Sequence, residues 1–303
     1  MLSAEARRDV AKVLASAERE RSPVPPLRTT WPDLDVVDAY TIQLLNIAER
    51  REAGATVRGH KVGLSSLAMQ EMMGVDEPDY GHLLSDMEIP ASPGGGAGPG
   101  GTSLHGAQRG GTSRERSEWG RAWGRTAKNT VSASRYCMPR VEVEVAYVLG
   151  KTLPGHGCTE ADVIDATDHV TAAIELIDSR IAGWDIKITD TIADNASSAG
   201  FVLGTARVDP ATVDLTIIEA RLLRGGEEVA AGRSDAVLGD PTTAVAWLAR
   251  KVASFGVTLE AGHVILPGSV HRAVDAAAGD EFEAVFADSV GTSWGSVRLS
   301  FTE

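Results

Sequence analysis

The run Arg140-Val141-Glu142-Val143-Glu144-Val145 alternates long polar and β-branched side chains without a break. A strand directs successive side chains to opposite faces, so Val141, Val143 and Val145 share one face and Glu142 and Glu144 the other, with Cα atoms roughly 6.7 Å apart. The valine face demands a hydrophobic core, which ties the rest of the fold to this strand. The glutamate face admits two readings. It is either the solvated side of a surface strand or a pair of carboxylates at chelating distance from a cation.

The surrounding elements are read from periodicity and caps. Ser3 opens a helix over 4–20 whose apolar stripe, Val10, Val13 and Leu14, is thin enough to suggest a surface position. Asp35 caps a stronger helix from about 36 to 53, with Val37, Tyr40, Leu44, Ile47 and Ala48 on one face and Gly54 to end it. A strand over 57–64 follows, then a short Met-rich helix from Ser65 or Ser66 through Met69, Met72 and Met73. The main strand covers 141–149, and Thr159 with Asp162 resembles a capping box for a helix of about ten residues. Residues 172–178 are apolar and short, so strand and helix are equally compatible. Beyond Gly204 strands dominate, over 213–223, 227–230, 263–267, 281–287 and 296–301. One helix interrupts them, with Asp240 as N-cap, Pro241 in its first turn and Gly256 at its end. Helices early and strands late predict an α+β fold.

Composition divides the chain. Residues 91–131 contain 11 of the 32 glycines, six basic residues and two glutamates, the make-up of a flexible, disordered linker. The expected organisation is therefore an N-terminal helical part over 1–90, a Gly-rich basic insertion over 91–131 and a catalytic part over 132–303. The net charge of −13 disfavours nucleic acid and anionic membranes as partners. An RGG-like nucleic-acid arm at Arg109-Gly110-Gly111 is a minor alternative. No apolar run reaches the ~20 residues of a membrane span. The first residues mix charged and small side chains, so a secretory leader is not expected. Cys137 and Cys158 form no metal or disulfide pattern, which suits a cytoplasmic protein.

A further carboxylate pair, Glu175 and Asp178, lies in the apolar stretch 172–178 and needs a partner such as a metal or Arg180. Three converging carboxylates without His or Cys suit a hard divalent ion.

Five runs, Gly59–Leu64, Gly74–Gly81, Pro139–Val145, Ile174–Arg180 and Ala193–Ser198, resemble in sequence and order the 2-hydroxypenta-2,4-dienoate (2-keto-4-pentenoate) hydratases. These belong to the fumarylacetoacetate hydrolase superfamily, with the 4-oxalocrotonate decarboxylases as close relatives. The resemblance implies a fumarylacetoacetate-hydrolase-like mixed β-roll with N-terminal and peripheral helices. It implies Glu142, Glu144 and Glu175 as ligands of Mg²⁺ or Mn²⁺, Lys61 and Asp79 as catalytic groups, and Asn195, Ser198 and Ser269 as substrate-binding residues. The implied activity is hydration of a 2-hydroxy-2,4-dienoate to a 4-hydroxy-2-oxoalkanoate in meta-cleavage catabolism of aromatic or steroid rings. Alternatives are a decarboxylase of a 2-oxo-3-enedioate or a non-catalytic partner subunit. A homo-oligomer is expected, as is a complex with a downstream aldolase or a related decarboxylase. The family usually passes from the segment matching Asp86-Met87 to the Glu-x-Glu strand in a couple of dozen residues, and the longer interval here is the insertion.

Overall fold

A computed structural model describes residues 1–66, 70–71, 74–90, 129–288 and 291–303. The Met-rich helix expected through Met69, Met72 and Met73, and residues 91–128 of the Gly-rich segment, lie outside the described residues. The last residues of that segment have a definite place, because Asn129–Ser132 form a strand, β3.

Two helices cover the N-terminal side. Helix α1 (Ala4–Glu20) is capped by the Ser3 hydroxyl, which accepts from the Ala6 amide. Its stripe is not left at the surface, since Val10, Ala11, Leu14 and Ala17 are buried. A single turn, α2 (Leu27–Thr30), follows. Helix α3 (Val36–Glu52) starts at a reciprocal capping box of Asp35 and Asp38. Of the face periodicity selects, Tyr40 and Ile47 are buried and Leu44 half-buried, but the two ends of the stripe are not. Val37 is 53% exposed, and Ala48 is exposed, while Asp38 and Gln43 are buried. The polar pair is tolerated inside because each is hydrogen-bonded. Asp38 accepts from the Leu2 amide and Arg7 Nε, and Gln43 donates to the carbonyls of Tyr80 and Ile192.

Strands β1 (Val57–Gly63), β2 (Asp79–Leu84), β4 (Arg140–Leu149), β5 (Thr167–Ile177), β6 (Ser198–Leu203) and β9 (Val264–Leu266) form the larger sheet in the order β2-β1-β9-β4-β5-β6, and β10 (Val274–Asp275) pairs with β4. All of these pairs are antiparallel except β1 with β9. The N-terminal part therefore contributes strands as well as helices. Residues 172–178 belong to a strand, not a helix. With both faces of β5 covered, the polar and apolar alternation that would have identified it disappears.

The second sheet runs β3-β12-β11-β7-β8, with β7 (Glu219–Arg224), β8 (Glu227–Arg233), β11 (Glu281–Ala287) and β12 (Ser293–Thr302). β7 begins later than expected, because Asp214 accepts from the amide and hydroxyl of Thr216 and turns the chain there. Val141, Val143 and Val145 join Phe282, Phe286, Leu299 and Phe301 in one core. Helix α4 (Glu160–Ala166) has the Thr159/Asp162 capping box but only seven residues. The short helix α5 (Ile188–Ala193) precedes the turn before β6. Helix α6 (Pro241–Ala253) begins at Asp240 and buries Ala244, Leu248 and Val252, as its periodicity predicts. The result is α+β, two mixed sheets with helices around them. Among the described residues no helix is long and apolar enough to cross a membrane.

Candidate metal centre

The acidic face of β4 is not a solvated one. Glu142 stands opposite Glu175 in the β4/β5 ladder, and Glu144 follows on the same face. Glu144 and Glu175 are fully buried, Glu142 partly so. One carboxylate oxygen from each of the three lies within 4.8 Å of the others. Glu144 is oriented by a backbone donor, the Gly268 amide, 2.7 Å from its Oε2. Among the described residues its Oε1 and the Oε1 of Glu175 have no hydrogen-bond partner.

Burial raises the pKa of all three carboxyls, and mutual repulsion adds to the effect on Glu142 and Glu144. Such a cluster either retains protons or holds a cation. Three converging carboxylates, two of them with unpartnered buried oxygens and with neither sulfur nor imidazole among them, fit a hard divalent ion.

Lys61 on β1 and Asp79 on β2 lie close to the cluster although β9 stands between these strands and β4. The Lys61 side chain is 4% exposed, with Nζ 3.4 Å from Glu175 Oε2. Nζ also donates to the Ala196 carbonyl at 3.1 Å. Burial alone would lower the Lys61 pKa, but Glu175, Glu142, Asp79 and Glu144 outweigh it and the net shift is upward. Asp79 is raised by burial, with Lys61 opposing. Its carboxylate is accommodated by a missing side chain. A Cβ on Gly63, its partner in the β1/β2 ladder, would lie 2.1 Å from Asp79 Oδ1 and 3.6 Å from Lys61 Nζ.

Asn195, Ala196 and Ser197 all have positive φ, at 54°, 50° and 55°, although none is glycine. Each such residue costs roughly 1–2 kcal/mol against a right-handed conformation. Asn195 accepts from the His82 amide and donates to the His82 carbonyl, so its side chain fastens the turn to β2. The buried Ser198 hydroxyl has no partner of normal geometry and sits beside Glu175, whose pKa it helps to lower. Ser269 donates to the His271 carbonyl at 2.8 Å within its own loop. Asp178 is engaged elsewhere, accepting from the amides of Cys137 and Met138, and Arg180 pairs with Asp194.

Residues 122–298 match the family profile described as fumarylacetoacetate (FAA) hydrolase C-terminal. The chain belongs to the fumarylacetoacetate hydrolase family. A 2-keto-4-pentenoate hydratase of Paraburkholderia xenovorans (strain LB400) is 37% identical over 295 residues, 97% of this chain and 94% of that one. A 2-hydroxyhexa-2,4-dienoate hydratase of Comamonas testosteroni is 36% identical over 290 residues, 96% of this chain and 95% of that one. Among solved structures, the 4-oxalocrotonate decarboxylase from Pseudomonas putida G7, complexed with magnesium and adipate, superposes with a TM-score of 0.81 at 30% identity, covering 99% of each chain.

Three residues with no individually expected contact touch the site or its supports: Gly63 against Asp79, the Gly268 amide on Glu144, and Asp194 on Arg180. The two glycines carried a legible signal, since glycine in or beside a strand marks a close approach. Asp194 carried none, because its partner Arg180 is brought to it by the fold. A separate cavity of about 760 Å³ is lined by His60, His82 and His263. Alternation along β1 puts His60 on the face opposite Lys61, so this cavity is not the carboxylate site.

Proposed function

We propose that this protein is a hydro-lyase that hydrates 2-hydroxypenta-2,4-dienoate or a close homologue to a 4-hydroxy-2-oxoalkanoate, in meta-cleavage catabolism of aromatic or steroid rings. The observation that carries the reading is the buried cluster of Glu142, Glu144 and Glu175 with Lys61 against it. In this reading the three glutamates hold Mg²⁺ or Mn²⁺. The bound ion supplies Lewis acidity that stabilises negative charge on the 2-oxygen of the substrate.

The reaction needs two proton movements. Ketonisation takes the proton from the 2-hydroxyl and delivers one to carbon 5, giving a 2-oxo-3-enoate. Water then bonds through oxygen to carbon 4 while a proton reaches carbon 3. Asp79 and Lys61 stand side by side to handle these protons. The raised pKa of Asp79 suits a carboxyl that both takes and returns a proton, and Lys61 contributes an ammonium beside the substrate's developing charge. Ser198 and the loop of Ser269 line the approach to the cluster in this proposal, and Asn195 contributes by holding its turn.

The test is steady-state consumption of the dienoate with and without Mg²⁺ or Mn²⁺. Metal-dependent formation of the 4-hydroxy-2-oxo acid is expected, and its absence would overturn the proposal. The second reading, decarboxylation of a 2-oxo-3-enedioate, is favoured by the likeness to the decarboxylase structure. CO₂ release from oxalocrotonate in a parallel assay decides between them. Self-association and a complex with a downstream aldolase or related decarboxylase belong to the same proposal, to be checked by sedimentation of the chain alone and mixed. A cytoplasmic location accords with the free thiols of Cys137 and Cys158.

A further inference from the structure

We infer that Arg180 and Asp194 are positioning residues, whose buried ion pair holds residues 195–197 in a left-handed turn and thereby fixes the Lys61 ammonium against Glu175. The inference rests on the hydratase reading in taking Lys61 as part of the machinery.

The geometry is specific. Arg180 is 4% exposed and Asp194 3%. Arg180 Nε donates to Asp194 Oδ1 at 2.5 Å and the Arg180 amide to Oδ2 at 2.9 Å. The two remaining guanidinium nitrogens reach the ends of the turn. One donates to the Asp194 carbonyl at 2.6 Å and the other to the Ser198 carbonyl at 3.5 Å. One planar fork therefore spans the entry and the exit of a three-residue segment.

Inside that segment every residue is left-handed and none is glycine. Non-glycine residues visit this region singly, and three in succession persist only where the surroundings over-determine them. Two backbone bonds hold the turn, the Ser197 amide to the Asp194 carbonyl at 2.9 Å and the Asp178 amide to the Ser197 carbonyl at 2.8 Å. The side-chain restraints added to them are the Arg180 fork on one side and the Asn195 amide on the His82 backbone on the other. The turn is also pressed onto β2, where a Cβ on Gly81 would lie 2.3 Å from the Asn195 carbonyl oxygen. What the imposed conformation delivers is the Ala196 carbonyl, 3.1 Å from Lys61 Nζ. The four-carbon stem of a lysine is flexible, and this contact, with the ion pair to Glu175 at 3.4 Å, gives the buried ammonium its second fixed partner. A buried ion pair gives little net stability over an apolar replacement, so its contribution here is geometric.

The experiment is a double-mutant cycle in the full chain at saturating Mn²⁺. It compares dienoate consumption by wild type, Asp194→Asn, Lys61→Met and the double variant, with Mn²⁺ affinity measured for each. Asp194→Asn is expected to lower kcat by ~100-fold, the scale of an ångström-sized misplacement. KM and Mn²⁺ affinity should stay within about twofold, and the substitution should add almost nothing once Lys61 is already Met. Losses that multiply in the two backgrounds, or a wild-type kcat for Asp194→Asn, overturn the inference. Should Asp194→Asn fail to fold, Arg180→Lys keeps both charges and removes only the fork, and the same non-additivity is required of it. A Lys61→Met enzyme with undiminished kcat refutes the hydratase role of Lys61 instead. A crystal structure separates the two failures. If residues 195–197 of Asp194→Asn keep positive φ and Lys61 keeps its contact with Ala196, the positioning role is wrong whatever the activity.

Discussion

Glu142 on β4 and Glu175 on β5 are direct cross-strand partners in an antiparallel ladder, with Glu144 two residues along on the same face. Like charges placed opposite one another on a sheet destabilise it, and burial enlarges the penalty. As three carboxylates the arrangement is favourable only with a compensating positive charge, which Lys61 supplies in part and a divalent cation would complete; without one the cluster retains protons.

Mn²⁺ should therefore stabilise the protein, by ~2.7 kcal/mol at a concentration near 100 times Kd. Glu144→Gln is expected to abolish that gain while leaving the metal-free protein at least as stable at pH 8, because one of three repelling carboxylates is gone. Thermal melts with and without Mn²⁺ measure both. A full Mn²⁺ shift in the variant would show that Glu144 is not a ligand.

Gly63→Ala places a methyl group 2.1 Å from Asp79 Oδ1 in the present backbone. Asp79 must move, at a cost of ~1–3 kcal/mol from overpacking, and activity should fall ~100-fold. Urea denaturation and kcat together check this. Mn²⁺ affinity should survive, since none of the three glutamates is touched.

Gly268 has φ of +131°, and a Cβ there would lie 1.9 Å from Ser65 Oγ. Gly268→Ala should displace the amide that orients Glu144 and weaken Mn²⁺ binding, by 10-fold or more. Calorimetric titration is the direct measurement. Unchanged affinity would mean that the Gly268 amide has no part in shaping the centre.

His82 is buried, with Nδ1 3.0 Å from Gln43 Oε1, and burial lowers its pKa to about 4, with Arg51 and His263 adding to the effect. A base whose folded pKa is depressed takes up its proton more readily when unfolded. Stability is then fully present above about pH 6.5 and lost as pH falls toward 4, by ~3 kcal/mol for this one group. In His82→Gln the acid limb of the stability curve should be shallower by about that amount, as read from denaturant midpoints between pH 7 and 4.

Local signals were reliable where local chemistry decides. Ser3, Asp35, Thr159 and Asp240 each cap the helix they were expected to cap, since an N-cap acts within three or four residues. They failed where distant chain supplied the partner. The buried face of α3 was read only in part: Tyr40 and Ile47 are buried as expected, but Asp38 and Gln43 join them because Leu2, Arg7, Tyr80 and Ile192 satisfy them. Residues 172–178 gave no period because a strand covered on both sides has none. The late start of β7 hid in the Asp214–Thr216 turn, which competes locally with the ladder.

The sequence by itself determined the alternation of β4, the helix starts, the surplus of carboxylates and, through its motifs, membership of the fumarylacetoacetate hydrolase family. The resemblance implied that Glu175, Lys61 and Asp79 join Glu142 and Glu144; the tertiary structure alone decided how, by facing β5 with β4, burying Glu144 and Glu175, and setting Asp79 against Gly63 and Lys61 against the turn at Asn195–Ser197. The reason is physical. Alternation specifies two faces of a strand but not what covers them, and desolvation, which turns three ordinary glutamates into a cation site, depends on what does.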